Sequence, residues 1–245
     1  MISRRSTSVL LAALPLLAPV AIHAEQLQTA PVRKPAPTFK LLRADDFPPD
    51  AMVPAPPAPG SDVEKLELAY LHALIAGTSP ERLEQARRDD AHEDPTIFNE
   101  AMGVDLKTLP ATWALLLAVH NDADLAANIA KEHFGRIRPW GVDPTMPSCD
   151  AGKGKKPTRS YPSGHATLGY SVGLLLATLA PAKAKAVMER AKDYALSREI
   201  CGVHFPSDTE ASHVIATLAV GRILADPATA ARVAAARAEL AKLPS

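Results

Sequence analysis

Two histidines and three cations stand in this chain at spacings that suit chemistry at phosphorus. Lys131 is followed seven residues later by Arg138-Pro139, and Pro162-Ser163-Gly164-His165 comes next. The third element is Ser197-Arg198, five residues, His204, three residues and Asp208. Phosphoryl transfer without a metal requires fixed positive charge for the equatorial oxygens, an anion pocket and groups that move protons. At average residue usage each of the specified positions matches by chance about one time in twenty, so coincidence is no serious rival.

Each element has a chemical and a bland reading. Ser163 at an N-cap followed by Gly164 leaves free backbone N–H groups at the positive end of a helix, which is an anion site. His165 then sits in the first turn beside whatever binds. Alone, the tetrapeptide reads as an ordinary capped helix with an incidental histidine. In the third element Ser207 and Glu210 read as a capping box with Pro206 just outside the helix. That places His204 on the entering loop and Asp208 in the first turn, where a carboxylate can take one imidazole N–H and fix the tautomer. Orienting a ring in this way is the logic of nucleophilic catalysis; a helix-dipole partner beside a surface histidine is the alternative. Lys131, Arg138 and Arg198 are each a solvated charge if taken singly. Grouped at an anion-binding helix start they form a cage, Arg as a planar fork and Lys as a point charge.

Together the three elements resemble the signature of the phosphatidic acid phosphatase type 2 superfamily, which includes the bacterial class A non-specific acid phosphatases and the vanadium haloperoxidases. The strings Ser160-Tyr161-Pro162-Ser163-Gly164-His165 and Ser197-Arg198-Glu199-Ile200-Cys201-Gly202-Val203-His204 are most similar to the soluble class A enzymes. The resemblance covers roughly residues 60 to 225, leaving out the proline-rich arm and the C-terminal helix. It implies a phosphohistidine formed on His204, with Asp208 orienting that ring and His165 serving as acid and then base. It implies that Lys131, Arg138, Ser163, Gly164 and Arg198 hold the phosphoryl oxygens. Small phosphomonoesters are the implied substrates, with no cofactor, and relatives often form dimers or larger assemblies, which leaves a homo-oligomer open.

The elements that must position these residues are helical. Ser61 and Glu64 form a capping box before Val63, Leu66, Tyr70, Leu71, Leu74 and Ile75, which keep a helical period up to Gly77. Ser79-Pro80 and Asp94-Pro95 open two more helices, the second closed by Gly103. Pro110 to about Gly135 is a long helical region, expected to break near Asn121 and Asp122, with Lys131 in its last turn. Residues 136 to 162 are a loop, and Ser163 caps a helix to about Leu179. Lys183 to Leu196, Ser207 to Ala225 and residues 228 to 242 complete the set. Ala166 to Pro181 carries no charge, yet it is shorter than the roughly 20 apolar residues a membrane span needs. It is expected to be a helix buried all round at the centre of a bundle. No segment alternates with period two, so the fold class is all-α, a helical bundle around a buried central helix.

The N-terminus reads as a signal peptide over residues 1–24: Arg4 and Arg5, an apolar run from Val9 to Val20, and small residues ending at Ala24. Cleavage after Ala24 predicts a periplasmic or secreted protein. Residues 25–60 are proline-rich and predict an extended arm without helix, and 61–245 a single domain. Setting Arg4 and Arg5 aside leaves 25 basic against 27 acidic residues. That balance argues against a nucleic-acid or membrane-surface binder. Cys149 and Cys201 are the only cysteines. In an exported chain they read as a disulfide stapling a loop around the site, with two buried thiols as the alternative.

Gly152-Lys153-Gly154-Lys155-Lys156 lacks the spacing of a phosphate-binding P-loop; it reads as a solvated loop that could steer anions inward. His92-Glu93-Asp94 and His120 with Asp122 and Asp124 show no metal-ligand spacing, so no metal is expected. Four functions compete: an exported acid phosphatase, a vanadium-dependent haloperoxidase, a lipid phosphatase and a phosphate-binding protein without turnover. Two histidines where binding needs only cations and N–H groups favour turnover. The context of Cys201-Gly202 and the absence of several spanning segments favour the first.

Overall fold

A short polar side chain meets the free N–H groups of the first turn at several helix starts. The structure, a computed structural model, describes residues 37–150, 154 and 156–244. The expected signal peptide therefore lies outside the described residues, as does most of the Gly152–Lys156 run. In chain order the α-helices are α1 (Pro49–Met52), α2 (Asp62–Ala76), α3 (Pro80–Ala91), α4 (Asn99–Met102) and α5 (Pro110–Phe134). They continue with α6 (Pro139–Val142), α7 (Gly164–Leu179), α8 (Ala184–Ile200), α9 (Pro206–Ala225) and α10 (Ala230–Leu240). Among the described residues there is no strand. The Ser61 and Ser79 hydroxyls accept the Glu64 and Arg82 N–H groups, and Asp94 accepts that of Thr96. Each such cap is worth about 1 kcal/mol.

The bundle is built around α7, which packs on α5, α8 and α9. Its Leu168, Val172, Leu175 and Leu176 are buried, each contributing about 1.5–3 kcal/mol. Two glycines four residues apart bring α8 close. A Cβ on Gly169 would stand 2.9 Å from the Tyr194 ring, and one on Gly173 would stand 3.0 Å from Ala191 Cβ. This close approach sets the end of α8, with Arg198, beside the start of α7, with His165. Among the described residues no single helix is long and apolar enough to cross a membrane.

Three local expectations are corrected. First, α5 runs unbroken through Asn121 and Asp122. Asp122 is fully buried, and its carboxylate accepts the backbone N–H groups of Lys40, Leu41 and Leu42 at 2.7, 2.7 and 2.8 Å. The polar pair is a docking point for an incoming strand of chain, not a helix stop. Second, the described part of the proline-rich segment contains a 3-10 turn at Ala44–Asp46 and the one-turn α1, with Pro49 at its first position, where a missing N–H costs nothing. Phe47 and Val53 of this segment are buried, and Phe39 stacks on Phe47 at 5.8 Å. Third, α9 begins at Pro206, with Phe205 as its N-cap. Asp208, not Ser207 or Glu210, closes the turn by accepting the Phe205 N–H at 2.9 Å.

Candidate active site

His204 is placed by a stop and a start. At the end of α8 the Val203 N–H reaches the Arg198 carbonyl and the Gly202 N–H that of Glu199, at 3.2 and 2.8 Å. This is a Schellman closure. It needs a left-handed residue, and Gly202 has φ +61°. A Cβ there would sit 2.0 Å from the Pro147 carbonyl oxygen, so only glycine fits. Four residues after Gly202, Pro206 starts α9. His204, fixed between them, is buried and lies one turn before Asp208.

Asp208 is fully buried and fully committed. Its Oδ2 accepts the His204 Nδ1–H at 3.2 Å, the Ser160 hydroxyl at 2.5 Å and the Phe205 N–H at 2.9 Å. Oδ1 accepts Arg136 Nη1 at 2.7 Å, and that guanidinium also donates to Glu67 and Ser207 and lies 3.8 Å over the Phe205 ring. With Nδ1–H pointing at a carboxylate, His204 Nε2 carries the lone pair. Arg138 Nη1 approaches that nitrogen at 3.3 Å while donating to the Val203 carbonyl at 3.0 Å. Burial, then Arg138, Lys131, Arg198 and His165, hold the His204 imidazole well below its ordinary range. The ring is kept neutral, with one bare nitrogen facing cations.

The three cations come from separate elements and lie close enough to act on one another. Lys131, in the last turn of α5, is buried and donates to the Pro162 carbonyl and, at 3.3 Å, to that of Arg159. Burial and the charge of Arg138 bring its ammonium down to about 7. Arg138 leads into α6 and lies 3.4 Å from Asp150 Oδ2. Arg198, in the last turn of α8, donates to Asp90 Oδ1 at 2.6 Å. Among the described residues Arg138 Nε and Arg198 Nε are buried donors without a hydrogen-bond partner. Orphaned donors of this kind are costly unless an anion accepts them.

The starts of α7 and α9 are stitched together. The Ser163 N–H donates to Ser212 Oγ at 2.9 Å and to the Asp208 carbonyl at 3.2 Å, while Ser163 Oγ caps α7 by accepting the Ala166 N–H at 3.3 Å. A Cβ on Gly164 would reach Glu93 Oε1 at 3.6 Å, Asp124 Oδ1 at 3.7 Å and Lys131 Cε at 4.0 Å. His165 faces Glu93 Oε1 from Nδ1 and the Asp90 carbonyl oxygen from Nε2, both at 3.2 Å, and its ring stacks on Tyr194. Its side chain is 13% exposed, against 2% for His204.

Residues 110–231 match the PAP2 superfamily. A non-specific acid phosphatase of Providencia stuartii is 34% identical over 79% of this chain and 81% of its own length. One from Salmonella typhimurium is 30% identical over 76% of this chain and 78% of its own. An acid phosphatase of Zymomonas mobilis is 35% identical over 58% of this chain and 54% of its own. The chain belongs to the class A non-specific acid phosphatases of the PAP2 superfamily. It is accordingly a phosphatase, and its all-α fold is that of the family.

The disulfide of this phosphatase is formed. Cys149 and Cys201 are joined with their Cα atoms 5.0 Å apart, and the Cys149 N–H also donates to the Cys201 carbonyl at 2.9 Å. The bond ties the loop bearing Asp150 to the end of α8, which bears Arg198. Four residues at this candidate site were given no role by the sequence: Arg136, Ser212, Asp90 and Glu93. Two of them left a signal. Arg136 is spaced two from Arg138, and Ser212 stands four after Asp208, on the same helix face. Asp90 and Glu93 come from the end of α3, far away in sequence, and left none. Among the described residues no group of three or more His, Cys, Asp or Glu side chains is arranged to hold a metal ion.

Proposed function

We propose that this phosphatase hydrolyses small phosphomonoesters in two steps through a phosphohistidine on His204. The His204 Nε2 lone pair forms the P–N bond as the ester P–O bond breaks, and His165 gives its proton to the departing alkoxide. Water then attacks phosphorus, His165 takes a proton from it, the P–N bond breaks and phosphate leaves. Lys131, Arg138, Arg198, the Ser163 hydroxyl and the Gly164 N–H meet the charge on the equatorial oxygens, each such donor being worth about 2.7–4 kcal/mol when removed. The observation that carries this reading is the pair of contacts on His204: Asp208 Oδ2, which accepts, faces Nδ1, and Arg138, which donates, faces Nε2, so the lone pair belongs on Nε2.

An acid optimum follows from two downward shifts. His204 is depressed, so it stays neutral and nucleophilic as pH falls. Lys131 loses its proton near pH 7 in the empty site, so the cage weakens above that pH. Turnover is therefore favoured on the acid side of neutrality. Cleavage after Ala24, with residues 25–60 as an arm and 61–245 as the catalytic domain, would place the enzyme in the periplasm or outside the cell. The disulfide accords with an oxidising compartment.

The test is an aryl phosphate assay of the mature chain in EDTA, with and without vanadate, beside His204→Ala. EDTA-resistant turnover that vanadate inhibits and the variant lacks is the expected result. Loss of activity in EDTA, or a variant as active as its parent, contradicts the reading. Halide oxidation on adding vanadate would assign the cage to haloperoxidase chemistry, activity confined to lipid phosphates would make the enzyme a lipid phosphatase, and phosphate binding without hydrolysis would make it a binding protein.

A further inference from the structure

The geometry points to Glu93 as the positioning residue that keeps His165 doubly protonated and aims it at the leaving group. The inference rests on the acid–base role proposed for His165 and adds a residue to it. Both ring nitrogens of His165 face oxygen acceptors: Glu93 Oε1 from Nδ1 and the Asp90 carbonyl from Nε2, each at 3.2 Å. A neutral imidazole has one N–H and would turn a lone pair toward the other oxygen. Only the imidazolium presents an N–H toward both, in a hydrogen bond to the Asp90 carbonyl and an ion-pair contact with Glu93. The Asp90 carbonyl is one of the last four of α3, which have no partner within the helix and form its negative end. His165 thus sits as a cation at a helix C-terminus with a carboxylate on its other side.

The remaining charges around the ring single out Glu93. From α3, the Asp90 carboxylate is already bonded to Arg198 at 2.6 Å. From α8, the Tyr194 ring stacks at 5.9 Å; its phenol donates to the His92 carbonyl at 2.5 Å and is pushed upward by burial, so it brings no charge. His204 is kept neutral and brings no charge, and Asp124 of α5 lies beside Gly164. Among the described residues Glu93 supplies the carboxylate in direct contact. Because a charge-assisted bond is the stronger of the two, the bond to the Asp90 carbonyl is the one exchanged for the leaving-group oxygen. Glu93 then keeps Nδ1–H while Nε2–H is delivered.

The experiment compares the mature chain with Glu93→Gln, which keeps the shape of a half-exposed side chain and removes its charge. It has two readouts: histidine-selective 15N NMR titration, with the His165 signal assigned by its loss in His165→Ala, and kcat/KM for an alkyl and an activated aryl phosphate. The His165 midpoint is expected to fall by about one unit. Alkyl phosphate turnover should fall about tenfold near neutral pH and aryl phosphate turnover less, because a good leaving group needs less proton donation. An unmoved midpoint, or equal losses on both substrates, overturns the role of Glu93. A His165→Ala enzyme that hydrolyses alkyl phosphates like its parent would instead overturn the acid–base role of His165 itself.

Discussion

The two histidines of this site stand at the starts of neighbouring helices and are held in opposite ways. His204 has an acceptor on one nitrogen and an arginine donor on the other, and its orienting carboxylate is fully buried with every partner in place. His165 has an acceptor on each nitrogen, one of them a carboxylate that is 47% exposed. The first environment stabilises a neutral ring with a fixed lone pair, as attack on phosphorus requires. The second stabilises a charged ring near solvent, as proton delivery and water activation require. In the proposed mechanism one residue type is divided into nucleophile and acid by whether donors or acceptors face it.

The largest expected effect removes one side of the comparison outright. His204→Ala should lose roughly 10⁴-fold or more in kcat on any phosphomonoester, by analogy with other nucleophile deletions, read in a steady-state assay. His165→Ala should lose about 10²–10⁴-fold on alkyl phosphates and markedly less on activated aryl phosphates. Equal losses on both substrates would erase the distinction between the two rings.

A subtler attack goes through the support of Asp208. Arg136→Met leaves the carboxylates of Asp208 and Glu67 without their buried partner, at a cost of about 3–5 kcal/mol. A thermal melt should show it, with kcat falling as His204 loses its fixed orientation. Above neutrality Lys131 gives up its proton, so KM should rise as pH climbs through about 7. Lys131→Arg, permanently charged, should flatten that rise while leaving the acid limb in place. The smallest effect lies away from the site. Asp122→Asn weakens the bonds that dock Lys40, Leu41 and Leu42, costing about 1–3 kcal/mol in stability, with kcat within about twofold of the parent because phosphoryl contacts are untouched.

What the sequence made legible divides along the same line. The start of α7 with its cap at Ser163, and Asp208 one turn after His204, could be read because short-range chemistry places them: a serine before a helix, a carboxylate one turn from a ring. The buried central helix was legible from its lack of charge. Asn121 and Asp122 misled because a polar pair inside a helix reads as a break, and its partners lie some eighty residues earlier in the chain. Asp90 and Glu93 act through contacts that only the packing of α3 and α8 against α7 creates, and Arg136 through contacts with α2 and α9. The orienting carboxylate of His204 is local in sequence, whereas the partners of His165 come from α3 and the turn after it.

The central claim is that His204 carries the phosphoryl group between the two steps. Rapid alkaline quench of the enzyme during turnover, followed by peptide mapping, tests it most directly. Phosphate attached to the peptide containing His204, absent from His204→Ala and lost within one turnover, is the predicted result. A phosphoryl group on another residue, or its direct transfer to water with inversion at phosphorus, would contradict the account.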